Sequence, residues 1–352
     1  LKDIEEKIHS ISSSEQTKEN ALENILKRTR QRSLGYSRIL KYAAVLLLPL
    51  LLGGTLFYVL TFKQQAGEVL PVSEPKQILP GGPKAILYLS DGQVIDLNRI
   101  VDSVIVDKYS GQEIALSKGI NALNYSGVTG DIGQSKELAY NRIEVPRGGE
   151  YMLVLSDGTK VWLNSETCLE YPLAFGEHSR EVRLSGEAYF EVTKDEARCF
   201  NVIMEGATIE VMGTSFNASC YPGEGQCWAV LESGKINLRT DHGVAAVNVG
   251  ECASYDIASG KVTVETVDLK YFTSWRYGTF YFYNTPLSEI VQKLGRWYDV
   301  HFKFADESLR DVCFSGAALR SKPIDFMLEL LSSTQSLKFD IQSDGMIMIY
   351  KK

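Results

Sequence analysis

The chain has 352 residues, 44% of them hydrophobic and 23% charged, with a formal net charge of −7, enough for two or three domains with their own cores. Charge is unevenly placed: residues 1–41 hold nine Lys/Arg and six Asp/Glu, net +3, which leaves 28 and 38, net −10, for residues 42–352. A basic head on an acidic body excludes a direct nucleic-acid binder, whose folded part would itself be basic.

Residues 1–41 read as a short α-helical segment, with Ile4, Ile8, Ile11, Leu22, Ile25 and Leu26 at helical spacing. It is too short and too polar to form a core alone, so it is either the end of a larger domain or a stalk. Tyr42–Phe62 follows, 21 uncharged residues reading YAAVLLLPLLLGGTLFYVLTF. At about 1.5 Å per residue this spans roughly 30 Å, the depth of a bilayer core. Arg28, Arg30, Arg32, Arg38 and Lys41 precede it and Lys63 alone follows closely. Positive-inside then places the N-terminus in the cytoplasm and the acidic body on the other side of the membrane. The chain begins with Leu rather than Met, so an earlier start is expected. Residues 63–83, rich in proline and glycine, read as an extended linker.

From 84 to 270 short alternating runs separated by turn residues predict an all-β domain, a sandwich or roll. Asp91-Gly92 and Asp157-Gly158 each mark a hairpin. Their flanks match at an offset of 66: Leu87 with Leu153, Leu89 with Leu155, Ile95 with Val161, Leu97 with Leu163 and Asn98 with Asn164. From 276 to 352 the pattern is that of a small α+β domain of two βαβ units. The first holds "YGTFYFYN" and a helix capped by Thr285 with Pro286 at its first position. The second holds "DVCFSGAAL" and a helix opening on Pro323. The two repeat at an offset of 37, pairing Leu287 with Ile324, Ile290 with Met327, Val291 with Leu328 and Leu294 with Leu331. "LKFDIQ" and "MIMIYK" close the chain as a hairpin around Asp344-Gly345.

Candidate chemistry is sparse. Six cysteines show no metal-ligand spacing, and the four histidines are scattered, so no metal or cofactor is expected. Cys220 and Cys227 flank the turn "YPGEGQ" and would face each other across a hairpin, as a disulfide or as two unpaired strand residues. Glu187 and Glu191, four apart on a strand, share a face and are candidate paired carboxylates, or simply solvent-side residues. Trp162, Trp228, Trp275 and Trp297 are candidate sugar platforms or core residues. Gly148-Gly149 is too brief to mark a phosphate loop. Gly213-Thr214 in "VMGTSFNAS" pairs a hydroxyl with an unhindered carbonyl: a self-cleavage bond, or a glycine at a bulge followed by a strand threonine.

"PRGGEYMLVLSDGTKVWLNSETCLEYP" (146–172), "REVRLSGEAYFEV" (180–192), "IEVMGTSFNASCY" (209–221) and "VLESGKI" (230–236) resemble the signature runs of the FecR family of anti-sigma factors. "FYFYNTPLSEIVQKLGRWYDVHFKF" followed by "FSGAALRSKPIDFMLELL" resembles the family's end domain, which is similar to the secretin and TonB N-terminal signalling module. The resemblance implies a single-pass protein of a Gram-negative inner membrane. Its cytoplasmic end holds an extracytoplasmic-function sigma factor, and its periplasmic part senses the signalling domain of an outer-membrane TonB-dependent transporter. It also implies that residues 1–41 are the end of a truncated sigma-binding domain, and, because some members cut themselves at a Gly-Thr bond, it strengthens the self-cleavage reading of Gly213-Thr214 without displacing the bulge reading; the chain is otherwise expected to be no enzyme. The alternative reading from the residues alone is a membrane-anchored module that binds or processes glycans through Trp162, Trp228, Glu187 and Glu191.

Overall fold

The computed structural model describes residues 77–99, 104–106, 113–117, 122–126 and 139–352, with Phe57 the single described residue before them. The expected N-terminal helical segment, the expected span at Tyr42–Phe62 (Phe57 aside) and residues 63–76 of the expected linker lie outside the described residues. Among the described residues no helix is long and apolar enough to cross a membrane.

Alternation of apolar and polar residues builds strands with one buried face. The strands are β1 (Gly82–Pro83), β2 (Ile86–Tyr88), β3 (Val94–Asp96), β4 (Val104–Val106), β5 (Glu113–Ser117), β6 (Ala122–Asn124), β7 (Tyr140–Val145), β8 (Gly149–Val154), β9 (Lys160–Leu163) and β10 (Thr167–Pro172). They continue as β11 (Ser179–Glu191), β12 (Cys199–Met204), β13 (Ala207–Val211), β14 (Ser215–Cys220), β15 (Gln226–Ser233), β16 (Ile236–Thr240), β17 (Gly243–Val247), β18 (Glu251–Asp256) and β19 (Val262–Thr266). One sheet runs β3-β2-β7-β10-β11-β12-β13-β16-β17. The other runs β4-β5-β6-β8-β9-β11-β14-β15-β18-β19. Both expected Asp-Gly hairpins form, β2–β3 in the first sheet and β8–β9 in the second.

The two sheets share β11. Its first half pairs with β10 and β12, and from Gly186 onward it pairs with β14 and β9. Gly186 has φ +112°, and a Cβ there would stand 2.5 Å from the Thr167 hydroxyl, so only glycine fits at the crossing. Residues of both sheets form one core. Phe190 stacks on Phe216 with ring centres 5.0 Å apart and meets Phe200 edge-on at 6.2 Å.

Arg180 is fully buried inside this layer structure. It donates to Asp157 (2.8 Å), to the Thr193 carbonyl (2.8 Å) and twice to the Arg198 carbonyl. Asp157 also accepts the backbone N–H and the hydroxyl of Thr159. The Asp157-Gly158 turn is therefore wired to the strand that joins the sheets.

After the sandwich come α1 (Lys270–Thr273), a 3-10 turn over Ser274–Tyr277, β20 (Thr279–Pro286), α2 (Leu287–Tyr298), β21 (His301–Phe304), β22 (Cys313–Leu319), α3 (Ile324–Thr334), β23 (Leu337–Ile341) and β24 (Met346–Lys351). The repeat is visible in the burial: Leu287, Ile290, Val291 and Leu294 face the core of this domain, as do Ile324, Met327, Leu328 and Leu331. The strands of each unit do not lie side by side, however. β20 and β22 pair with each other antiparallel, while β21 and β23 flank β24, parallel and antiparallel respectively. Each βαβ run thus gives one strand to each of two small sheets.

Thr285 is not the cap of α2. The strand extends to Pro286, which takes the N-cap position without a side-chain bond. The first two helical N–H groups instead reach the carbonyls of Val312 (2.8 Å) and Arg310 (3.1 Å), so no hydroxyl is required. The Thr285 hydroxyl turns back to accept the Tyr283 N–H.

Removing one partner of a buried pair strands the other in the interior. Arg180→Met is expected to cost about 3–5 kcal/mol in urea unfolding, and Asp157→Asn, which keeps an acceptor for the Thr159 N–H, less.

Candidate functional site: the seam between the sandwich and the C-terminal domain

α1 and the 3-10 turn lay Phe272, Trp275 and Arg276 over the second sheet of the sandwich. Phe272 meets Trp228 edge-on, with ring centres 5.2 Å apart. Trp275 donates its indole N–H to the Asn217 side-chain oxygen at 3.3 Å. Asn217 donates in turn to Glu187 (2.8 Å) and to the Phe272 carbonyl (3.1 Å).

Arg320, just past β22, closes the network from the other domain. It is 1% exposed. One terminal nitrogen donates to the Trp275 carbonyl (2.9 Å) and the other to Asn164 Oδ1 (3.0 Å), with the Glu150 carboxylate 3.7 Å away. Its guanidinium lies 3.7 Å from the ring centre of Trp297, whose indole N–H donates to the Arg320 carbonyl at 2.8 Å. Asn164 donates to the second oxygen of Glu187. Burial pushes the Arg320 pKa down, opposed by Glu150 and Glu187, and burial pushes the Glu150 carboxyl up, opposed by Arg320. Arg320 Nε is buried and has no hydrogen-bond partner. The cleft beside it holds about 40 Å³, room for water but not for an organic ligand.

Three further arginines rim this centre. Arg276 bonds Glu191 at 2.8 Å and covers the Tyr189 ring at 3.7 Å. Arg296 covers Tyr221 at 3.6 Å and pairs with Glu224 and Glu166. Arg147 reaches from the sandwich to the Val300 carbonyl (2.8 Å) and to Asp299, the C-cap of α2. A cation at that end of the helix opposes its dipole favourably. Tyr221 is buried and donates to the Ser165 carbonyl, and burial drives its pKa up.

The structure gathers most of the candidate residues at this seam. Glu187 and Glu191 share a face but are held apart chemically, the first by two asparagines and the second by Arg276. Trp162 and Trp228 have Arg276 and Phe272 against them, and Trp275 and Trp297 are buried. Gly148 donates its N–H to the Arg296 carbonyl at 2.7 Å, so the Gly148-Gly149 bend seats backbone of the C-terminal domain. Cys220 and Cys227 form a disulfide at the base of the turn that carries Tyr221 and Glu224.

Gly213-Thr214 lies apart from the seam, between β13 and β14, where the pairing of β14 with β15 shifts register. A Cβ on Gly213 would stand 2.7 Å from the Lys194 Cα, so close approach demands glycine. Thr214 is 3% exposed, its hydroxyl donates to the Lys235 carbonyl at 3.0 Å, and its carbonyl accepts the Val192 N–H. The sequence pattern alone does not mark the four arginines. Their signal is faint: Trp275-Arg276 and Arg296-Trp297 set a cation beside an aromatic, and Arg147 precedes a glycine pair.

Comparison with known proteins places this seam in context. Residues 141–237 match the family model described as FecR protein, and residues 279–348 match that described as FecR, C-terminal. Two crystal structures of a "putative anti-sigma factor" from Parabacteroides distasonis ATCC 8503 are similar, each with a TM-score of 0.56. They are 26% and 27% identical, over 60% of this chain and 99% of that one. No curated protein matches the chain. Arg147, Asn164, Glu187, Asn217 and Tyr221 fall in the first matched range, and Arg296, Trp297 and Arg320 in the second.

Arg320→Met leaves the Trp275 carbonyl and Asn164 Oδ1 without their donor and is expected to destabilise docking of the two domains by about 1–3 kcal/mol. A single urea transition followed by tryptophan fluorescence should split in two. Arg320→Lys should not restore it, because an ammonium cannot span Trp275 and Asn164 while stacking on Trp297.

Proposed function

Because this chain carries both domains of the FecR family, we propose that it acts as an anti-sigma factor that relays a signal across a membrane. In this reading residues 1–41 are the cytoplasmic end of a domain that holds an extracytoplasmic-function sigma factor. Residues 42–62 span the inner membrane and 63–83 link the span to the periplasm. The β-rich domain (84–270) and the C-terminal domain (276–352) sense the signalling domain of a TonB-dependent transporter. The observation that carries the reading is the order of the two matched domains behind a charge-free 21-residue run with basic residues before it. The similarity to the Parabacteroides proteins supports the sigma-factor partner. The polar seam supports the sensing role, since interfaces of this kind inside one chain separate more readily than apolar ones.

Removing residues 276–352 is expected to abolish inducer-dependent transcription from the sigma factor's promoters, read with a reporter gene. Induction that persists unchanged would exclude the C-terminal domain as the sensor. A phosphatase fused after Lys352 should be active, whereas a fluorescent protein that folds only in the cytoplasm should stay dark.

Self-cleavage belongs to the same proposal. The Thr214 hydroxyl attacks the Gly213 carbonyl carbon, the amide becomes an ester with a free Thr214 amine, and water splits the ester to leave a Gly213 carboxylate. The missing Cβ at Gly213 supports this step; the hydrogen bond to Lys235 must break first. Thr214→Ala should remain one polypeptide on a denaturing gel where the unaltered chain gives two. An unaltered chain that never yields two fragments excludes the step.

A further inference from the structure

A second cleft, of about 200 Å³, opens on the outward face of the second sheet, lined by Pro83, Glu150, Met152, Trp162, Trp275 and Arg276. Strand alternation puts its floor there. In β8 the buried Tyr151 and Leu153 alternate with the half-buried Glu150 and Met152, so the latter two share the outward face. Trp162, opposite Met152 on β9, shares it too. β1 sets Pro83 beside Glu150, and the 3-10 turn lays Trp275 and Arg276 over the sheet.

Glu150 differs from its neighbouring carboxylates. Glu187 is held by Asn164 and Asn217, Glu191 by Arg276 and Glu232 by Tyr189. Among the described residues the Glu150 carboxylate accepts no hydrogen bond and faces Arg320 at 3.7 Å. Burial pushes its carboxyl up, as expected of a desolvated group that lacks donors. The other charge in the cleft, Arg276, is matched by Glu191 at 2.8 Å, and its guanidinium lies 4.9 Å from the Trp162 ring centre. Each charge thus has a counter-charge, and an ionic ligand would leave one unmatched. The walls of Trp162, Trp275, Met152 and Pro83 call for an apolar face, while Glu150 calls for a hydroxyl. A sugar ring has both, with C–H groups on its faces and hydroxyls around its edge. The volume fits one such ring and falls below the roughly 300 Å³ at which sites for drug-sized ligands begin.

We propose that this cleft binds a single neutral pyranose ring, with its C–H face on Trp162 and a hydroxyl donating to Glu150. Trp162 keeps the platform role its residue type allows, but its partner is Glu150 rather than Glu187 or Glu191. A bound ring touches the sandwich through Glu150, Met152 and Trp162 and the connector through Trp275 and Arg276. The proposal does not rest on the relay reading.

The test is isothermal titration calorimetry on the full chain, in a detergent without a sugar headgroup. The probes are the methyl pyranosides of glucose, galactose, mannose and N-acetylglucosamine, with glucuronate and glucosamine as charged counterparts. At least one neutral probe should saturate with a Kd of about 1–10 mM, the range open to a ligand of about a dozen heavy atoms. The charged counterparts should bind about tenfold more weakly or worse. Trp162→Ala should abolish binding, Trp162→Phe should retain most of it, and Glu150→Gln should weaken it about tenfold. Should Trp162→Ala lose its cooperative urea transition, Met152→Lys, which fills the cleft from the same face, carries the same expectation. No saturation by any neutral probe at tenfold above that range overturns the proposal. So does binding that survives both Trp162→Ala and Met152→Lys, or that is unchanged in Glu150→Gln, or a charged probe that binds as tightly as the neutral ones. Calorimetry involves no sigma factor or transporter, so failure of the relay leaves every one of these outcomes interpretable.

Discussion

A guanidinium sealed from water between two domains governs how this molecule is put together. Arg320 carries a full charge at 1% exposure, a placement that is costly unless acceptors surround it. The acceptors come from two places: the Trp275 carbonyl from the connector, and Asn164 and, at longer range, Glu150 on β8 from the sandwich. Neither domain alone provides that set. The charge thus fixes the orientation of one domain on the other, while the aromatic rings of Trp275, Trp297 and Phe280 close over it.

Around that centre exposure increases and the interactions weaken. Arg276, Arg296 and Arg147 each combine a carboxylate with a ring or a helix end, and their partners Glu191, Glu166 and Asp299 are 38%, 46% and 64% exposed. Pairs so open to solvent contribute little to stability. They favour one register without welding the surfaces. An interface of this composition is held at a few buried points and can part by letting its charges rehydrate.

What could be read from the sequence was local. The Asp-Gly turns announce their hairpins because the backbone needs φ > 0 at Gly92 and Gly158, and both have φ +84°. The two helices of the C-terminal domain announce themselves through apolar spacing, and Leu287 and Ile324 are both fully buried. The failures are long-range. Thr285 has the right chemistry for a cap, but carbonyls some 25 residues onward do that work. The pairing of β20 with β22 rather than β21 depends on packing that no local run records. In sequence Asn164 stands out only as a repeat of Asn98, yet it bonds Arg320 156 positions away. In sequence the Gly213 dipeptide stands out for its chemistry, while its close approach to Lys194 arises from a loop 19 positions earlier.

β11 is written into both sheets, changing neighbours at Gly186. A strand held this way is a shared rail. Neither sheet has its full complement of neighbours until residues 179–191 are laid down, and the layers cannot slide past one another without bending the piece they have in common. Mechanical load arriving at the β14 side of the rail therefore passes into β10 and β12 through one continuous backbone, making the sandwich a stiff anvil against which the C-terminal domain is seated.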